Sequence, residues 1–166
     1  TAHEYGKGPI AVRYPKGQVS GMVLDTELHT LPIGKAELLQ DGNDVTLLAI
    51  GWMVRDAVKA AEEMKKEGIS AAVINARFAK PLDEEMIVKY ARKTGKIITM
   101  EENTIVGGFG SAVLECLEKN GLSTIKVKRM GAMDGYIPFD KPDNIKKMYG
   151  LTVEDAVNTA KRMLGK

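Results

Sequence analysis

Cysteine is almost absent: Cys116 is the single one in 166 residues. One thiol excludes an internal disulfide and suits a reducing cytoplasm. Charge of one sign is lacking as well, with 24 Lys and Arg against 22 Asp and Glu for a net +2. That balance argues against a nucleic-acid-binding face, which needs clustered excess cations. No apolar run approaches the ~20 residues that span a bilayer, so no membrane segment is expected. Histidine is limited to His3 and His29. Neither has a Cys or carboxylate at metal-ligand spacing, which speaks against a zinc site. There is no Gly-x-Ser-x-Gly elbow and no Cys/His pair for nucleophilic catalysis. The first residues, Thr1 to Tyr5, contain neither an initiator methionine nor a signal peptide's apolar core, so a piece of a longer polypeptide is expected.

What is present reads as a folded domain. Hydrophobic residues make up 44% and charged residues 28% of the chain, ordinary for a globular protein burying roughly 70% of its unfolded surface. Residues 1–20 form a unit of their own, in which Ile10–Tyr14 is a β-rich run between Gly8-Pro9 and Pro15-Lys16-Gly17. A lone strand is not stable, so this one is expected to join a sheet supplied from elsewhere or to fold onto the next domain. Residues 21–34 read as a linker and 35–166 as the main domain. In it, short apolar strands (36–39, 45–50, 71–74, 97–100, 125–129) alternate with helical periodicities. Asp83 is placed to cap the helix through Met86, Ile87 and Tyr90. Cys116, among Val113, Leu114 and Leu117, is expected to pack as a small apolar group. This alternation indicates a three-layer α/β domain with a mostly parallel sheet. One antiparallel edge strand is expected from a hairpin at Asp41-Gly42.

Several polar residues are candidates for function. Gly107-Gly108-Phe109-Gly110-Ser111 opens a helix and is either a close-packing turn or an anion seat. Its spacing matches neither the dinucleotide fingerprint nor the phosphate loop, which favours the turn. Glu101-Glu102-Asn103 follows a strand's carboxyl end, where such sheets place ligands. It is read as hydrogen bonding at a structural or interface position, with acid–base chemistry or a metal as the alternative. Arg77, just past a strand, is expected to pair with Asp83 or Glu84 and fix the turn, leaving Lys80 solvated. Arg13 sits between apolar neighbours on the expected strand, where a guanidinium suits bidentate binding of phosphate or carboxylate. A structural salt bridge is its alternative.

The segments "AVRYPKG", "LPIGKAELLQDGNDVTLLAIGWMV", "INARFAKPLD", "TMEENTIVGGFGSAVLE" and "YGLTVEDAV" together resemble the C-terminal part of the 1-deoxy-D-xylulose-5-phosphate synthases. These are thiamine-diphosphate-dependent transferases of the transketolase family, and the resemblance runs over essentially the whole chain. It implies that residues 1–20 are the tail of a pyrimidine-binding domain. It also implies that the main domain is the transketolase C-terminal domain, with a mostly parallel five-stranded sheet. The implied reaction condenses pyruvate with glyceraldehyde 3-phosphate to 1-deoxy-D-xylulose 5-phosphate and CO2, a precursor for isoprenoid, thiamine and pyridoxal synthesis. The implied cofactors, thiamine diphosphate and Mg2+, would be held by upstream domains, and the implied partners are those domains and a second subunit of a homodimer.

By the same resemblance Arg13, in the Arg-Tyr-Pro motif, binds the aldehyde's phosphate. No catalytic, cofactor-binding or metal-binding residue carries over, so the chain alone is expected to be inactive. Two departures from the family pattern stand out. Lys16 replaces an Arg, and Gly131-Ala132-Met133-Asp134 replaces Gly-Leu-Pro-Asp, which is expected to loosen 131–138. Two other readings remain open: the C-terminal domain of a 2-oxo acid dehydrogenase β subunit, and a non-catalytic assembly or regulatory domain.

Overall fold

Of the chain, a computed structural model describes residues 1–14 and 26–166. Lys16 and the first part of the 21–34 linker lie outside the described residues. The sheet is built from β1 (Glu37–Gln40), β2 (Val45–Ala49), β3 (Ala71–Asn75), β4 (Lys96–Thr104) and β5 (Lys126–Ala132). Its order is β1-β3-β2-β4-β5. Every neighbouring pair is parallel except β1 with β3. The expected five-stranded sheet with one antiparallel edge is therefore the observed one. No helix among the described residues is long and apolar enough to cross a membrane.

The helices are α1 (Met53–Lys66), α2 (Glu84–Thr94), α3 (Phe109–Lys119), α4 (Pro142–Met148) and α5 (Val153–Leu164). Side chains along a strand alternate between faces. Val45, Leu47, Val73, Ile98 and Met100 accordingly pack with Met53, Ala57, Ala61 and Met64 of α1 and with Ala156 and Ala160 of α5. Leu48, Ala72, Ile74 and Ile97 face the other way, onto Ile87, Tyr90 and Ala91 of α2 and Val113, Cys116 and Leu117 of α3. Both faces of the sheet are covered, which is why its central strands read as unbroken apolar runs. Cys116 is buried in this second core, and burial pushes its thiol's pKa up.

Three expectations are corrected. Ile10–Tyr14 is not a strand. No strand among the described residues pairs with it, and Val12 and Tyr14 are exposed. The Asp41-Gly42 turn is not a two-stranded hairpin, because β3 lies between β1 and β2. The turn instead crosses the start of β3, so closely that a Cβ on Gly42 would collide with the Ala71–Ala72 backbone. Arg77 pairs with neither Asp83 nor Glu84. Its φ of 56° turns the chain left-handed, and its guanidinium lies 2.7 Å from Glu37 of β1. The two expected acids are engaged elsewhere. Asp83 accepts from the Met86 N–H at the start of α2 and from the Ala36 N–H, while Glu84 binds Lys119. Lys80 is exposed, as read.

Candidate functional site

β4 continues to Thr104 and carries Glu101 and Glu102 as strand residues, so the pleat sends them to opposite faces. Glu101 points under α3, is fully buried, and accepts from the N–H groups of Phe109 and Gly110 at 2.8 Å each. The free donors at the start of α3 thus receive a carboxylate from the protein itself. Gly108 is required there, because a Cβ would meet the Glu101 carboxylate 2.5 Å away. Ser111 and Arg129 close the same turn, with Arg129 Nη1 donating to Ser111 Oγ at 2.8 Å. Gly107–Ser111 is therefore a packing turn whose anion is internal, with both oxygens of the buried Glu101 accepting N–H groups at the start of α3.

Glu102 faces the other way, into an open cleft of ≈ 440 Å³. The cleft lies over the carboxyl ends of β2, β4 and β5, and Arg13, Trp52, Glu102, Ala132 and Lys146 contribute to its lining. The topology explains its position. The helix after β2 covers one face of the sheet and the helix after β4 covers the other, so a crevice opens between these adjacent strand ends. Gly51, with φ 63°, and Trp52 turn the chain from β2 into α1 at this point.

Arg13 occupies the crevice. Its Nη1 lies 3.7 Å from Glu102 Oε2 and 3.8 Å from where a Cβ on Gly51 would stand. The Arg13 side chain is 56% exposed, whereas that of Glu102 is 19% exposed. Glu102 Oε2 is buried and, among the described residues, accepts no hydrogen bond. A second cation, Lys146 of α4, lies 2.5 Å from Asp56 of α1 and 5.7 Å from the centre of the Trp52 ring. Asp140 accepts from the side chain of Asn144 and the N–H of Lys141, which together hold its carboxyl below the usual range.

Chemically the site is a guanidinium with solvent-facing N–H groups above a carboxylate on a rigid strand, walled by Trp52 and the 136–139 segment. Such an edge can take a phosphate or carboxylate in two parallel hydrogen bonds. Among the described residues, the lining contains no histidine or cysteine. Among the described residues no group of three or more His, Cys, Asp or Glu could hold a metal ion.

Sequence reasoning selected Arg13 and considered Glu102, but it did not bring them together, and it missed Trp52, Lys146 and the aromatic wall. One signal was available for the first: Trp52 lies in the turn that follows the carboxyl end of β2. Met133, Tyr136 and Phe139 are strongly exposed.

Residues 34–156 match the family described as the transketolase C-terminal domain. The chain is 54% identical over 160 residues to the 1-deoxy-D-xylulose-5-phosphate synthase of Desulforudis audaxviator, covering 96% of this chain and 25% of that protein. It is 51% identical over 163 residues to that of Heliobacterium modesticaldum, covering 98% and 25%. Among solved structures it resembles a split-gene transketolase described as an inactive beta4 tetramer. There the TM-score is 0.77 at 35% identity, over 87% of this chain and 46% of that one. The chain thus spans about a quarter of the length of these curated relatives.

Proposed function

We propose, since the chain belongs to the transketolase C-terminal domain family, that it is the C-terminal part of a 1-deoxy-D-xylulose-5-phosphate synthase and that Arg13 grips the phosphate of the aldehyde substrate. The whole enzyme would condense pyruvate with glyceraldehyde 3-phosphate, releasing CO2, as a homodimer in the cytoplasm. Residues 1–20 would end a pyrimidine-binding domain, 21–34 would link, and 35–166 would form the C-terminal domain. The observation that carries this reading is the Arg13 guanidinium, held in the crevice between β2 and β4 with most of its side chain open to an incoming anion.

The described residues do not fit thiamine diphosphate or Mg2+. The α3 N-terminus, the nearest thing to a diphosphate seat, is taken by Glu101. Cofactor and metal are therefore assigned to the remaining three quarters of the enzyme, and no chemical step is assigned to this chain. Its own contributions are substrate binding through Arg13 and a surface for assembly. The exposed Tyr136, Phe139 and Met133 support the second of these.

The test is Arg13→Ala in the full-length enzyme. Loss of a charge-assisted phosphate contact costs roughly 2–3 kcal/mol. The apparent KM for glyceraldehyde 3-phosphate is expected to rise by about 30- to 150-fold, far more than that for pyruvate. Equal effects on both substrates would count against the phosphate role.

A further inference from the structure

We propose that Glu102 is the positioning residue for Arg13: it holds the guanidinium in the crevice without using up the N–H groups that bind the substrate's phosphate. The proposal rests on the phosphate-binding reading above. Arg13 lies on a stretch with no regular secondary structure, and its flanking residues Val12 and Tyr14 are exposed. Its own backbone therefore does not fix its place. Among the described residues, Glu102 is the acid within ion-pair distance of it. Glu102 by contrast sits on β4, whose preceding residue is locked by two hydrogen bonds to α3.

The geometry of the pair separates positioning from competition. A bidentate carboxylate would occupy the same two N–H groups that a phosphate needs. At 3.7 Å the contact between Nη1 and Oε2 is too long for a hydrogen bond, though it is within Coulombic reach. The buried Oε2 accepts no hydrogen bond from a described residue. A carboxylate oxygen in that state is costly unless a cation stands near it, so Glu102 favours conformations that keep Arg13 over the cleft. A simple surface ion pair would leave substrate preference untouched. Simple repulsion of the phosphate by Glu102 would act in the opposite direction.

The experiment uses the full-length enzyme with Arg13→Ala, Glu102→Gln and the double variant. It reads the ratio of kcat/KM for glyceraldehyde 3-phosphate to that for unphosphorylated glyceraldehyde, because loss of folded enzyme lowers both terms alike. Glu102→Gln is expected to lower the ratio about fivefold, and the double variant to match Arg13→Ala, since the two residues act as one unit. Should Glu102→Gln not fold, Glu102→Asp, with its carboxylate drawn back by one methylene, is read for a smaller loss in the same direction. An unchanged or increased ratio in the Glu102 variant overturns the proposal, and so does a double variant that loses the product of the two single effects. If Arg13→Ala lowers the ratio while Glu102→Gln does not, only the positioning role fails. If Arg13→Ala leaves the ratio unchanged, the phosphate reading falls and the positioning role falls with it.

Discussion

Two adjacent glutamates show how much one strand position decides. Glu101 is buried and spends both oxygens on α3, while Glu102 turns one oxygen toward Arg13. Replacing Glu101 by Ala would strand the Phe109 and Gly110 N–H groups beneath the helix. A loss of about 2–4 kcal/mol is expected, measured by urea denaturation. The sequence exposed both acids as candidates but not their division of labour, because a reading that ended the strand at Met100 made them loop residues with no fixed facing. Gly42 is a second case. Any Cβ there meets the β3 backbone, so Gly42→Ala is expected to destabilise by about 1–3 kcal/mol, again by denaturant midpoint. The Asp-Gly pair announced a turn correctly. Its glycine, however, is required by a strand some 30 positions later in the chain, which local turn chemistry cannot reveal.

Among the elements, legibility followed hydrophobic period and capping. α2 was readable because Asp83 caps it and Ile87, Tyr90 and Ala91 keep one buried face. Asp83 also anchors the chain entering β1 through the Ala36 N–H. Asp83→Ala therefore removes a cap and a tie between elements together, and a cost of about 1–3 kcal/mol is expected as a lowered thermal midpoint. α5 is started in a similar way, by Thr152 and Asp155 forming a reciprocal cap. α4 was not readable, since none of its seven residues is buried and no apolar stripe exists to read. Its place is set instead by Lys146, which reaches Asp56 on α1. Ile10–Tyr14 failed in the opposite sense: it has the residues of a strand, yet no neighbouring strand among the described residues accepts its hydrogen bonds. β propensity describes fit to a sheet, and it cannot create one.

For the molecule as a whole, pH and completeness are the quantities to vary. The Lys93 ammonium, and after it the Tyr90 hydroxyl, hydrogen-bond to Asp41 and hold its carboxyl below the usual range. The folded state therefore binds this proton more weakly than the unfolded state does. The resulting stabilisation is present above the ordinary value of about 4 and is lost as pH falls through the lower folded value. Asp41→Asn is accordingly expected to lower Tm at neutral pH and to lower it less in acid well below the ordinary carboxylate value, as read by thermal melts across that range. The second prediction is an assay. The chain alone, given thiamine diphosphate and Mg2+, is expected not to turn over pyruvate, and supplying the remaining part of the enzyme is expected to restore activity. Turnover by the chain alone would overturn the proposal that the cofactor is held outside this chain. Period, capping and punctuation by themselves determined the layers, the helices with apolar stripes and the parallel core, because each is written in contacts a few residues apart. Strand order, the crossing at Gly42, the partner of Arg77 and the meeting of Arg13 with Glu102 were decided only in three dimensions. Each of these depends on which distant segments share one crevice or edge, and local spacing holds no record of that.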